Sequence, residues 1–332
     1  MNKNCVVVLG PTAVGKTALA VRIAEYLNSE VISADSRQVY RGLDIGSGKD
    51  LCEFTLDSSV CFHKCSGQKV IPYHLIDVAD LSTEYSVFDY QMDFYKIFPK
   101  LSEKKIIPVV AGGTGMYLDA VIRGYDLIQV PVNINLRESL NGKTMDELTQ
   151  LLLDYRGTLH NHTDTDERHR LIRAIEIEQY YRSPEAEQQR LSMIGRPEIN
   201  PVIIGTTFPR SMVRKRVTER LRIRLQEGMI EEVKSLHENG VSYERLERLG
   251  LEYRFIAEFL QGKIRNSDDL FSKLNTAIHQ FVKRQETWFR GMEKKGVVIY
   301  WLSHDGSMED CSVESRFLKA REIITHEMPG IA

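Results

Sequence analysis

Residues 6–17 read VVVLGPTAVGKT, and residues 30–42 follow with EVISADSRQVYRG. The first stretch is an apolar strand, a glycine-rich turn and then TALAVRIAEYL, whose apolar residues recur at helical spacing. Gly10, Gly15, Lys16 and Thr17 fit the phosphate-loop pattern G-x-x-x-x-G-K-[ST]. Glycines let such a backbone curl so that successive N–H groups face an anion. Lys16 adds a point charge, and the Thr17 hydroxyl suits a phosphate-bound Mg²⁺. The helix N-terminus behind them faces the same anion. A plain glycine-rich turn needs neither the strand before it nor the helix after it, so the context favours the phosphate loop.

Outward from this stretch, strands and helices alternate. VISAD (31–35) is a second strand, HLID (74–77) a short strand or turn, and 87–101 a helix. IIPVVAG (106–112) is a strand closed by Gly112, Gly113 and Gly115. This alternation predicts an α/β fold with a P-loop NTPase-like parallel sheet core. Ligands of such sheets gather at the carboxyl ends of the strands, which places the loop, Asp35 and Gly112–Gly115 around one cleft. From about 120 the pattern changes to amphipathic helices, MDELTQLLLDY (145–155) and DERHRLIRAIEIEQYYR (166–182), the latter loaded with Arg168, Arg170 and Arg173. PVIIGTTF (201–208) resumes a strand. A long basic helix is expected over 209–233, a helical stretch over 252–292, and a last strand at VVIYWL (297–302). The expected organisation is a discontinuous core of 1–120 and 197–305, a mostly helical insertion domain at 121–196, and a polar tail at 306–332.

The chain has 332 residues, enough for more than one domain. Its net charge of −2 means that a polyanion must be met by a local basic patch rather than by bulk charge. No apolar stretch approaches the length that spans a bilayer, and no basic presequence stands at the start, so a cytoplasmic protein without a membrane partner is the expectation. The five cysteines are an odd number. Cys5 lies on the first strand and reads as core. Cys52, Cys61 and Cys65 cluster with His63, but without C-x-x-C spacing they read as free thiols in a polar loop rather than as a metal site.

Phosphate-loop enzymes that hydrolyse ATP place an acid for Mg²⁺ at the end of another apolar strand. Here IIPVV runs into Ala111 and glycines, and the acid is Asp35 after the second strand. That position favours an acid used on an acceptor, as general base, since a carboxylate is ionised at neutral pH. A capping or loop role is the plainer alternative. Basic residues form the other theme. Arg214, Lys215, Arg216, Arg220, Arg222 and Arg224 share one helix, with Arg216, Arg220 and Arg224 on one face. Such a stripe lines a phosphate channel, or is a solvated face paired with Glu219, Glu227 and Glu231. Lys283, Arg284 and Arg290 add charge in KRQETWFR, where Trp288 and Phe289 suit either base stacking or the core.

In order along the chain stand GPTAVGKT, ADSRQVYRGLDIGSGK, HLID, AGGTGMYL, RLIRAIEI, RVTERLRIRLQEGMIEEV, RLGLEYR and KRQETWFR. This series resembles the bacterial tRNA dimethylallyltransferases, also called tRNA isopentenyltransferases, over roughly residues 4 to 302. The resemblance implies transfer of a dimethylallyl group from dimethylallyl diphosphate to N6 of the adenosine 3′ of the anticodon, with the tRNA anticodon stem-loop as partner and Mg²⁺ as cofactor. A monomer is the expectation. By the resemblance, Gly10, Pro11, Thr12, Ala13, Val14, Gly15, Lys16 and Thr17 hold the diphosphate, with the metal at Thr17. Asp35, Thr114 and Arg220 are the catalytic set: Asp35 takes the N6 proton, Thr114 lies where the substrates meet, and Arg220 assists the diphosphate. The tRNA contacts implied are Asp35, Ser36, Arg37, Gln38 and Thr114; His169, Arg170, Leu171, Ile172 and Arg173; and Arg248, Leu249, Gly250, Leu251, Glu252, Tyr253 and Arg254.

The chain departs from that pattern in places. Val14 stands where the family usually has Ser, the loop from Gly48 to Val70 is long, and RGTLHNHTDTDER (156–168) lacks the usual Asp-Pro. Other readings remain open on the residues alone. A small-molecule kinase would use the same loop with Asp35 on an acceptor hydroxyl. A noncatalytic RNA-binding relative would have no need of Lys16, Thr17, Asp35, Thr114 and Arg220 together. A prenyltransferase of free adenine nucleotides would have no need of the insertion.

Overall fold

The computed structural model describes residues 2–57, 59, 67–158, 167–192, 195–304, 307 and 309–330. Cys61, His63 and Cys65 lie outside the described residues; Cys52 is exposed with a free thiol. The chain divides into two compact units, Met1–Tyr125 with Pro197–Ala332, and Asp126–Arg196.

The larger unit is built on β1 (Cys5–Leu9), an apolar run buried along its whole length. β1 leads through the glycine turn into α1 (Lys16–Tyr26), and the chain returns through β2 (Val31–Ser33). β3 (Thr55–Asp57) and β4 (Gln68–Val70) form a separate antiparallel pair inside the stretch read as a long loop. β5 (Tyr73–His74) is the short strand expected at HLID; it ends where Leu75 and Asp77 adopt positive φ. α2 (Val87–Glu103) starts at a capping box. The Ser86 hydroxyl accepts from Asp89 N and the Asp89 carboxylate from Ser86 N, which satisfies two otherwise orphaned donors. β6 (Val109–Gly112) and α3 (Gly115–Ile122) complete this half.

The inserted unit is helical, with α4 (Ile134–Leu140), α5 (Met145–Arg156), α6 (Arg168–Tyr181) and α7 (Pro184–Ser192). Its own core is Leu140, Leu148, Leu152, Leu171, Ala174 and Ile175. β7 (Pro201–Gly205) then rejoins the sheet. The basic segment expected as one helix over 209–233 is two, α8 (Arg210–Gln226) and α9 (Met229–Glu238). Gly228, at φ 100°, turns the chain between them in a conformation that favours glycine. The stretch 252–292 is likewise broken. α10 (Tyr243–Arg248) and α11 (Leu251–Leu260) precede α12 (Ser267–Lys294), whose start is fixed by the Asn266 side chain accepting from Asp269 N. β8 (Tyr300–Trp301) is the last strand, shorter than the apolar run around it.

The region after it departs from a polar tail. α13 (Val313–Glu327), capped by Ser312, buries Phe317, Ala320 and Ile324 in the cluster that holds Val6, Val8, Leu19 and Ile23. The larger unit therefore runs through α13.

The main sheet has the order β5-β2-β6-β1-β7-β8, and every pairing in it is parallel. β2, β6 and β1 are neighbours, so the turns after Ser33, Gly112 and Leu9 open side by side. β2 and β6 approach very closely at this edge: a Cβ on Gly112 would stand 2.1 Å from the Ala34 carbonyl oxygen. Gly112→Ala is expected to cost about 3 kcal/mol or more, because backbone rather than a flexible side chain must move. Urea unfolding checks this; an unchanged midpoint would mean that the strand ends spread freely.

Candidate active site

The turn after β1 is held by side chains from four separate helices. Gly15, at φ 68°, caps α1 in the left-handed region, and Ala13 sits there too at φ 65°, which costs a non-glycine residue energy. Arg216 of α8 donates from Nε to the Ala13 carbonyl at 3.0 Å, and Arg220 donates to the Thr12 hydroxyl at 2.7 Å. Arg316 of α13 donates to the Val14 carbonyl at 2.6 Å. Lys16 Nζ reaches the Pro11 carbonyl at 2.7 Å. Gln285 of α12 accepts from Thr12 N at 2.9 Å and donates to the Gly113 carbonyl at 2.8 Å, joining the turns after β1 and β6.

Asp35 follows β2. Its Oδ1 accepts from Arg37 N at 2.9 Å, which fixes the carboxylate by a tight local turn. The Thr114 hydroxyl accepts from Ser36 N at 3.0 Å and joins the turn after β6 to this one. Gln38 donates to the Gly48 carbonyl at 3.0 Å. The rest of the loop is tied from beneath. Lys49, almost wholly buried, donates to the Tyr40 carbonyl and to the Asp44 and Asp77 carboxylates. Glu232 accepts from the N–H groups of Ile45 and Gly46 and from the Tyr253 hydroxyl.

A polar recess of about 90 Å³ is lined by the phosphate loop, Asp35, Asp50, Glu53 and Arg220. A larger chamber of about 240 Å³ is lined on its polar side by Asp35, Ser36, Arg37 and Thr114, and on its apolar side by Leu251, Ile278, Phe281 and Trp288. Thr12, Lys16, Asp35, Ser47 and Arg220 line both. The junction is electrostatically tuned. Burial pulls the Lys16 ammonium down to about 8, with Asp35 opposing and Arg220 adding to the pull. Burial and the neighbouring Arg224 lower Arg220 to about 10. Burial and Asp50 push the Glu53 carboxyl up, while the Thr17 hydroxyl bonds to it and opposes the shift. Glu252 is also pushed up by burial, against Arg220, Arg224 and Arg37.

The sequence-expected residues thus fall into groups. Gly10–Thr17, Asp35, Thr114 and Arg220 converge. The α8 stripe faces inward rather than pairing with Glu219, Glu227 and Glu231: its three arginines contact Ala13, Thr12 and Asp50. Phe289 is core, while half-buried Trp288 lines the chamber. Leu249 and Tyr253, expected at the tRNA surface, are 1% and 0% exposed, so they shape the chamber wall from behind. Gly250, Leu251 and Glu252 line it, and Arg248 is exposed. In the inserted unit Leu171 is core. Arg173 is committed to Glu176 and the Val130 carbonyl, and Arg168 to the carbonyls of Leu140 and Asn141; His169 and Arg170 are exposed. Gln285, Glu53 and Arg316 carry site geometry that sequence reasoning missed. The readable signal for Gln285 is a lone amide in the apolar stripe Leu274, Ile278, Val282, Phe289 and Met292.

A phosphate loop opening into a second, half-apolar chamber with a carboxylate at the junction defines a group-transfer enzyme that joins a phosphorylated donor to a second substrate. The IPP transferase family model matches residues 38–292, and an isopentenyl transferase model matches residues 3–57. A tRNA dimethylallyltransferase 2 of Treponema denticola is 51% identical over 90% of this chain and 95% of its own length. A tRNA dimethylallyltransferase 1 of Geotalea uraniireducens is 47% identical over 92% of this chain and 94% of its own. The solved tRNA isopentenylpyrophosphate transferase of Bacillus halodurans is 27% identical with a TM-score of 0.64 and covers 98% of both chains. A eukaryotic dimethylallyltransferase solved acting on tRNA shares the fold, at 21% identity and a TM-score of 0.71 over 98% of this chain and 80% of that one. The chain belongs to the IPP transferase family and is a prenyltransferase.

Proposed function

We propose that the chain transfers a dimethylallyl group from dimethylallyl diphosphate to N6 of the adenosine 3′ of the anticodon in tRNA. The observation that carries this reading is the set of residues common to both compartments. Lys16, Asp35 and Arg220 line both, so a diphosphate in the recess would meet a base in the chamber beside them. The N6 nitrogen forms a bond to C1 of the allyl group, the C1–O bond breaks, and both electrons leave with the diphosphate. Asp35 takes the N6 proton. The charge that grows on the leaving oxygen meets the loop amides, Lys16 and Arg220, which are fixed before reaction. Thr114 holds the Asp35–Ser36 turn at the meeting point. The adenine must leave its stack to enter the chamber, where Trp288 and Phe281 offer aromatic faces.

The oxygen donors around Thr17, namely its hydroxyl with Glu53 and Asp50 in the same recess, fit Mg²⁺. Bound there, Mg²⁺ would offset charge on the leaving diphosphate. The apolar wall of Leu251, Ile278, Phe281 and Trp288 would take the five-carbon tail beside the base that meets it. No helix among the described residues is long and apolar enough to cross a membrane. On the larger unit, exposed Arg248, Lys283 and Arg284 supply positive groups for a tRNA backbone, and the inserted unit by itself exposes Arg170.

Purified protein with Mg²⁺, dimethylallyl diphosphate and an unmodified tRNA bearing adenosine 3′ of the anticodon should yield N6-dimethylallyladenosine by nucleoside mass spectrometry. ATP consumption on small acceptors with no modified nucleoside would favour the kinase instead. Lys283→Ala with Arg284→Ala should weaken tRNA binding and flatten its salt dependence by about one to two units of log–log slope. An unchanged slope would remove both from the RNA surface.

A further inference from the structure

Phe208, at the exit of β7, is within cation–π range of the guanidinium groups of both Arg216 and Arg316, whose centres stand 4.9 and 5.2 Å from its ring centroid. Phe208 is 4% exposed and Arg316 3%. Each arginine donates to one of two successive carbonyls, Arg216 to Ala13 and Arg316 to Val14. Arg316 also bonds to the Thr206 hydroxyl at 3.2 Å and, from Nε, to the Ser312 carbonyl of its own helix start at 3.2 Å. In a trans peptide the C=O of one residue and the N–H of the next point in opposite directions. Turning the Ala13 and Val14 carbonyls toward the arginines therefore turns the Val14 and Gly15 N–H groups away from them, into the turn where a phosphate would sit. Ala13 holds a left-handed conformation it would not choose, so an external hold on its carbonyl is needed.

Neither guanidinium pairs with a carboxylate among the described residues. Burial and the presence of Arg216 lower Arg316 to about 10, the mark of a cation short of counter-charge. The Phe208 ring near both supplies cation–π attraction; an anion in the loop would supply the rest.

We infer that Arg216 and Arg316, stacked on Phe208, are positioning residues that set the phosphate loop for the donor diphosphate, and that α13 is thereby part of the donor site. This rests on the diphosphate reading of the recess. Arg316 lies beyond the segments matched by the family models, 3–57 and 38–292, whereas Arg216 lies within them.

The test is calorimetric titration of the full chain with Mg²⁺ and inorganic pyrophosphate, alongside KM for dimethylallyl diphosphate and for tRNA. Arg316→Gln and Arg216→Gln should each raise the pyrophosphate Kd and the donor KM about tenfold or more, the order expected for a charge-assisted bond. The tRNA KM should stay unchanged, and Arg316→Lys should recover part of the loss. Pyrophosphate Kd within about twofold of the parent, with only the melting temperature lowered, would overturn the inference and leave Arg316 as a staple for α13. If Arg316→Gln does not fold, Arg316→Lys and Phe208→Leu decide by the same criterion. Failure of the parent chain to bind pyrophosphate would instead overturn the donor-site reading itself. Parent binding without transfer to tRNA would overturn the proposed reaction while leaving the bracket decided by its variants.

Discussion

Asp35→Asn is expected to reduce transfer by about 10²- to 10⁴-fold while leaving pyrophosphate and tRNA binding close to those of the parent, the range that loss of a positioned general base gives. The substitution keeps the shape of the turn. An amide oxygen can still accept from Arg37 N, the bond that fixes the side chain at 2.9 Å, so the Ser36–Thr114 link should survive. What goes is the capacity to take a proton at the junction of recess and chamber. One secondary effect has a definite sign. Asp35 holds the Lys16 pKa up against burial, so its removal lets that pKa fall further. The comparison therefore belongs at or below pH 7, where the parent Lys16 is charged and the variant loses least of that charge. Single-turnover nucleoside analysis with saturating tRNA separates chemistry from binding. Transfer retained within about tenfold would move the proton-acceptor role elsewhere. Glu252, the other carboxylate lining the chamber, would be next, although burial already pushes it toward its protonated form.

The parts of this site legible in the sequence are those set by local geometry. A strand, a glycine turn, a lysine and a helix must lie together because they are contiguous. The carboxyl-end rule then brings Asp35 and Gly112–Gly115 beside them without any long-range information. The α8 stripe was half legible: spacing put Arg216, Arg220 and Arg224 on one face, and only tertiary placement turned that face inward. Gln285 reaches across 273 residues to Thr12, and Arg316 across 302 to Val14. No local pattern encodes such pairings. The helix breaks are a different case. Gly228 and Gly262 stand where a helix C-terminus wants a left-handed residue, and the rule was available. The tail is similar: Ser312 as cap and Phe317, Ala320 and Ile324 at spacings of three and four mark one buried helix face. Its polar composition hid that face, because a helix packed along one stripe leaves most of its residues in water. Glu53 is the least legible. It lies in the stretch where the chain departs from the pattern it otherwise follows, and only the fold brings it to Thr17.

Donor binding is expected to weaken as pH rises through about 8. Free Lys16 titrates there because it is buried at the floor of the recess, and a bound diphosphate must raise that value by favouring the ammonium. Linkage fixes the sign. Below pH 8 both free and bound forms carry the proton, and the Kd is flat. Above it the free site has lost the proton that the complex retains, so Kd rises by up to about tenfold per pH unit until the bound form titrates in turn. Lys16→Met removes the group and should flatten this part of the profile. The same variant should lower kcat/KM by about 10²- to 10³-fold, the loss typical of one preorganised charge or donor facing the developing anion. Arg220, lowered only to about 10, stays charged across the range and makes no step of its own. Titration with a non-hydrolysable prenyl diphosphonate, whose own ionisation is measured separately, reads the profile directly. A rise of the same steepness in Lys16→Met would assign the titration to another group; a flat parent profile would mean that Lys16 holds its proton well beyond pH 8, stabilised by Asp35 more strongly than burial destabilises it.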